Sequence, residues 1–391
     1  MSGSAGRGAR RAGAVGAALA LGLLSLTATL PDAAASVSSS QATASPPAAQ
    51  CPSRTPATPD RAPVLAHFYM WFTPTSWNRA KIDFPAIGRY SSDDTTVMTK
   101  QVAEARAAGI NGFIVGWRST PTLNSRLAAL RNVAAKSNFK LAITYQAQDF
   151  DRDPLPVAQV ERDLQQLANE YAGDPVFHVL GSRPMVALSG TWNYSEQDLR
   201  SITAPVASRL MVLATEKSVA GYQRVASAVD GELYYWSSPD PQNTPGYEKK
   251  MVDMANATRA KCGIWVAPVA PGFDARKVGG HSVVDRRDGA TLRSSWQGAL
   301  ATVPDAIGII SWNEFSENTF IEPSRAFGTR YLDVVGQLIG APHPPAKETD
   351  SSAPGGVGPT TGAVRAASIT VGAVLLVTVV GVMRRRRRDQ G

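Results

Sequence analysis

The feature that most constrains this chain is an alternation. Short, continuous apolar runs rich in β-branched and aromatic residues are separated by longer stretches with helical spacing. The runs occupy residues 64–70, 112–117, 141–146, 184–189, 210–215, 232–236, 263–269 and 307–312. Amphipathic stretches such as 94–108, 125–135 and 157–171 lie between them. Uninterrupted apolar runs indicate strands buried on both faces, as in a parallel sheet covered by helices. Eight such units predict an α/β protein with a single (β/α)8 TIM barrel over residues 62–341. A doubly wound open sheet is the alternative. No Gly-x-Gly-x-x-Gly follows the first run, which argues against a dinucleotide-binding version of it.

Both ends read as targeting devices. Arg7, Arg10 and Arg11 precede an apolar run from Ala12 to Leu30, and small residues follow at Ala33, Ala34, Ala35 and Ser36. This pattern predicts a cleaved signal peptide at 1–36, with an uncleaved anchor as the alternative. Residues 37–61 are a Ser-, Ala-, Pro- and Thr-rich linker, and 342–365 are a Pro- and Gly-rich stalk. Residues 366–383 are 18 consecutive uncharged residues, long enough to cross a bilayer core as a helix. Arg384 to Arg388 follow in the basic tail 384–391. The positive-inside bias puts that tail in the cytoplasm and the bulk of the chain outside. The expectation is a single-pass cell-membrane protein with an extracellular domain.

Most of the formal charge of +8 comes from these ends. Residues 51–340 hold thirty basic against twenty-eight acidic side chains, a net of +2. No basic surface for nucleic acid is indicated. Cys51 and Cys262 are the two cysteines; outside the cell they are able to pair, with two free thiols as the alternative. The four histidines show no metal-ligand spacing, and no cofactor is expected.

In a barrel, the C-terminal ends of all strands open into one mouth. Here those ends carry His67, Tyr69 and Trp71, then Trp117, Tyr145, Trp236, and Asn313 after the last run. Aromatic faces beside amide, hydroxyl and carboxylate groups are what a sugar site requires. Glu314 and Glu317 follow the last run three residues apart, and a turn would bring them to one side. Glycoside cleavage generally uses two carboxyl groups, so these are the candidate catalytic pair.

The segment Ser311-Trp312-Asn313-Glu314-Phe315-Ser316-Glu317, continuing to Glu322-Pro323, resembles the signature of glycoside hydrolase family 99 and family 99-like domains. His67-Phe68-Tyr69-Met70-Trp71, the segment from Pro85 through Tyr90 to Asp94, and Ala108 to Trp117 are similar to that family in the same order. The resemblance implies a (β/α)8 barrel with retaining endo-α-mannosidase or α-mannanase activity. It implies that Glu314 is the base toward the sugar's own 2-hydroxyl and Glu317 the acid/base. Tyr69, Tyr90, Trp71, Trp117 and Glu322 would then be pocket or supporting residues. The sequence departs from the family at Phe315, Ser316 and Asn318, where Trp, His and Gly are typical. The expected partner is a glycan or polysaccharide substrate. A non-catalytic surface carbohydrate-binding protein, or a polysaccharide assembly factor on the same barrel, is the alternative.

Overall fold

The computed structural model describes residues 51, 62–79, 81–149 and 151–340. The expected signal peptide, stalk, membrane span and basic tail, and all of the linker except Cys51, lie outside them. Among the described residues, no helix is long and apolar enough to cross a membrane.

Among the described residues ten strands form: β1 (Val64–Tyr69), β2 (Gly112–Trp117), β3 (Lys140–Tyr145), β4 (Met185–Leu188), β5 (Met211–Ala214), β6 (Gly231–Leu233), β7 (Ile264–Val269), β8 (Phe273–Asp274), β9 (Val283–Val284) and β10 (Ala306–Ile309). Eight of them, all but β8 and β9, make a closed barrel in the order β1-β10-β7-β6-β5-β4-β3-β2, with every pair parallel. Each predicted run contributes one barrel strand. Closure is direct: Val64, Leu65 and Ala66 of β1 pair with Ile307, Gly308 and Ile309 of β10. An open sheet is thereby excluded. The small antiparallel hairpin β8–β9 stands apart from the barrel and had no periodic signal in the sequence.

The helices are α1 (Thr95–Ala107), α2 (Pro121–Lys136), α3 (Val157–Tyr171), α4 (Glu196–Thr203), α5 (Val219–Val225), α6 (Tyr247–Arg259), α7 (Ala290–Leu300) and α8 (Arg330–Ile339). Their starts follow from short polar side chains that satisfy the first free amides. The Asp94 carboxylate accepts from Thr96 and Val97, and the Thr120 hydroxyl accepts from Leu123 with Pro121 at the first helical position. Ser195 and Asp198 form a reciprocal capping box at α4.

Side chains alternate along each strand between two apolar layers. Leu65, Ile114, Ala142, Met185, Leu213, Leu233 and Val266 point inward and fill the barrel. Their neighbours Ala66, Phe113, Val115, Leu141, Val212 and Trp265 pack outward among the helices. Strands approach closely where glycine permits. A Cβ on Gly112 would lie 2.4 Å from the Lys140 carbonyl oxygen, and one on Gly231 would lie 2.2 Å from that of Ile264. The disulfide Cys51–Cys262, with Cα atoms 5.3 Å apart, ties the segment before β1 to the end of the α6 region.

Candidate active site

The site is built on the loop after β10, which turns back on itself. The Ser311 amide donates to the Thr319 carbonyl, the Ile321 amide to Ser311, and the Glu322 amide to Trp312. Within this turn the Ser311 hydroxyl accepts from the Glu314 amide at 2.8 Å and meets the Thr319 hydroxyl at 3.0 Å. The β8 hairpin holds the far side: the Asp274 amide donates to the Glu317 carbonyl at 2.7 Å. The backbone at both glutamates is therefore held, at Glu314 from within the loop and at Glu317 from the β8 hairpin.

Asn313 joins this loop to β1. Its Oδ1 accepts from the Tyr69 amide at 2.8 Å, and its Nδ2 donates to the Tyr69 carbonyl at 3.0 Å and to the Tyr90 hydroxyl at 3.2 Å. Tyr69 points into the barrel mouth, over Gly116, where an added Cβ would come 3.0 Å from its ring. The Tyr69 hydroxyl lies 2.9 Å from that of Tyr235, and Trp71 stacks on the Tyr69 ring at 4.3 Å with 39% of its surface exposed. One layer deeper, His67 packs edge-on against Tyr235. Burial pushes this imidazole down to about 3, so it is neutral, and its Nε2 has no hydrogen-bond partner among the described residues.

Glu314 and Glu317 are both buried. Burial raises the Glu314 carboxyl, opposed by the Ser316 amide, which donates to Oε1 at 2.9 Å, and by the positive charge of Lys81. Glu317 is raised much further, by burial and then by the charge of Glu314, against a smaller opposing effect of Arg152. The two carboxylates also raise Tyr69 and Tyr235, already pushed up by burial. Two nearby carboxyls in unequal surroundings separate into an ionised and a protonated member. Here Glu317 is the better proton holder.

The other sequence candidates take different places. Tyr90 and Glu322 sit behind the mouth. Glu322 is buried, accepts from Gln101 at 2.7 Å and from the Tyr90 hydroxyl at 3.0 Å, and is pushed up to about 8 by burial. Trp117, Tyr145 and Trp236 turn toward the helices. The Trp117 indole donates to Asn124 of α2, the Tyr145 hydroxyl donates to Asp163 of α3, and Trp236 stacks on Tyr247 of α6. The reason is strand parity, since each is an odd number of residues from an inward-facing neighbour. The same parity, counted from Leu233, sends Tyr235 inward and would have identified it. Lys81 and Arg152 lie in loops without periodicity, and no local signal marks them. No three His, Cys, Asp or Glu side chains gather to hold a metal ion among the described residues.

Comparison with known proteins agrees with this architecture. A curated relative, the glycoprotein endo-alpha-1,2-mannosidase of Rattus norvegicus, is 22% identical over 280 residues, which is 64% of this chain and 59% of that protein's length. The solved family 99 endo-α-mannosidase of Bacteroides thetaiotaomicron superposes with a TM-score of 0.61 at 16% identity, covering 71% of this chain and 96% of that one. A second structure from that organism, with bis-tris-propane bound, gives 0.60 at 17% identity over 71% and 96%. The fold is that of these solved family 99 structures. The family model that matches is Glycosyl hydrolase family 71, across residues 84–336. The chain therefore belongs to glycosyl hydrolase family 71.

Proposed function

We propose that this barrel is a retaining glycosidase that cleaves α-linked, mannose-containing glycan with Glu314 as base and Glu317 as acid/base. The observation that carries the reading is the unequal pair of buried carboxyls at the mouth. In the first step Glu314 takes the proton of the sugar 2-hydroxyl. The sugar's O2 attacks C1 as the glycosidic C1–O bond breaks, and Glu317 gives its proton to the departing oxygen. The product is a 1,2-anhydro sugar. Glu317 then draws a proton from water, whose oxygen opens the ring at C1, and Glu314 returns the proton to O2. Inversion twice at C1 retains the configuration.

The exposed Trp71 offers a flat face for a sugar ring, and the paired Tyr69 and Tyr235 hydroxyls offer hydrogen bonds beside the carboxylates. The name of the rat relative supports an α-linked mannose substrate. An extracellular, membrane-anchored setting is part of the proposal and is supported by the sequence of the two ends. The test is digestion of a library of α-mannans and α-glucans, with products read by mass. Wild-type protein is expected to release fragments from a mannose-containing member. Glu317→Gln and Glu314→Gln are each expected to reduce release at least about 100-fold. Unchanged release by both variants would remove the two glutamates from the mechanism.

A further inference from the structure

The mouth contains a cation that neither the motif nor its spacing reveals. Lys81 precedes the turn at residues 85–88, and its Nζ donates to the Ser316 hydroxyl at 2.9 Å. The ammonium lies against aromatic walls, 5.9 Å from the Phe72 ring centroid and 5.8 Å from that of Trp77. Ser316 in turn donates its backbone amide to Glu314 Oε1 at 2.9 Å. A line of contact thus runs from the ammonium through one serine to one carboxylate of the pair. We infer that Lys81 is the residue that divides the roles, holding Glu314 ionised through Ser316 and leaving the proton on Glu317. The inference rests on the two-glutamate reading above and adds a cation to the backbone amides of Ser316 and Glu317, which also favour an ionised Glu314.

The other charges around the pair do not supply this asymmetry. From β1, His67 is neutral, and Tyr69 carries no charge in the working range because burial raises it. From the loop after β6, Tyr235 is likewise raised and neutral. From the loop after β3, Arg152 acts on Glu317, where it opposes the protonated form. Arg79 lies near Lys81 and lowers it, as burial does more strongly, while Glu314 raises it. Lys81 is therefore the cation whose effect falls on Glu314, and its influence is strengthened by partial withdrawal from water. Lys81 is a positioning residue: it acts on the sugar through Glu314.

The experiment titrates Glu314 directly in the full-length protein. Carboxylate infrared bands are recorded against pH, and the Glu314→Gln spectrum is subtracted to isolate this residue. Lys81→Met is expected to raise the Glu314 midpoint by about one pH unit, the lower range for removing a neighbouring opposite charge. Ser316→Ala, which removes the hydroxyl bridge and leaves the lysine, is expected to shift it in the same direction by less. Lys81→Arg, which keeps the charge, is expected to return the midpoint toward the wild-type value. A midpoint unmoved in both Lys81→Met and Ser316→Ala overturns the inference. Should Lys81→Met fail to fold, Ser316→Ala and Lys81→Arg carry the decision. The readout needs no turnover, so its failure is distinct from failure of the glycosidase reading. That reading is judged by whether Glu314→Gln and Glu317→Gln stop release of reducing ends from a branched α-mannan.

Discussion

The side-chain amide of Asn313 grips the backbone of Tyr69 in both directions, accepting from its N–H at 2.8 Å and donating to its carbonyl at 3.0 Å. A residue from the carboxylate loop thus completes the hydrogen bonding of the strand end that presents the mouth tyrosine. Asn313→Ala leaves both Tyr69 groups without these partners inside the protein. Unmade buried hydrogen bonds cost about 1–3 kcal/mol. Urea denaturation is expected to show a loss of that order. Glycan turnover is expected to fall through kcat more than KM, because the change displaces Tyr69 relative to Glu314. Full activity with normal stability would show that the clamp is dispensable.

Tyr235 and Trp236 are adjacent in sequence and opposite in direction. Tyr235→Phe removes the hydroxyl partner of Tyr69 and leaves the ring against His67. Its stability is expected to stay within about 1.5 kcal/mol of wild type while turnover drops. Trp236→Ala should do the reverse. It opens a cavity beside Tyr247 and costs about 3–5 kcal/mol, with the KM of the folded fraction unchanged. Paired denaturation curves and kinetics separate the two; equal effects on KM would contradict the assignment by parity.

Two buried carboxyls outside the Glu314–Glu317 pair are expected to make stability fall with rising pH. Glu322 is pushed up to about 8, and Glu232 of β6 is also raised well above the usual range by burial. Such groups keep their protons in the folded chain but lose them near 4.5 when unfolded. Between those values the native state binds more protons, so the stability slope is negative. Denaturation free energy is expected to decline from about pH 5 to pH 8. Glu322→Gln, whose amide mimics the protonated carboxyl toward Gln101 and Tyr90, should flatten part of that decline. An identical slope in the variant would refute the role of Glu322.

The Cys51–Cys262 bridge closes a loop with a sequence separation of 211. Cross-linking so distant a pair restricts the unfolded chain, with a typical stabilisation of about 2–4 kcal/mol. Cys262→Ser is expected to lower the denaturation midpoint by that order while leaving KM for glycan unchanged. A shifted KM would mean that the bridge also shapes the mouth.

The amino-acid pattern made the barrel readable because strand runs and helical stretches differ in period. The bounds of α3 coincide with the predicted 157–171, and each predicted run holds a barrel strand. The carboxylate pair was readable because Glu314 and Glu317 sit together just past the last run. What escaped was direction and distance. Trp117, Tyr145 and Trp236 lie at strand ends, yet one residue of parity places them against helices. Lys81 reaches Ser316 across 235 residues of sequence, a separation that no local pattern records. The two-residue strands β8 and β9 are too short to show any period.

The pairing of β1 with β10 also fixes when the mouth can be assembled. The residues that face each other across this seam are the first and last of the barrel to leave the ribosome. Tyr69 and Trp71 are made early, but both carboxylates arrive behind the strand that closes the ring. A nascent chain halted before residue 306 has an unsealed sheet and neither Glu314 nor Glu317. Both carboxyls of the mouth are thus missing until synthesis of the domain is nearly complete.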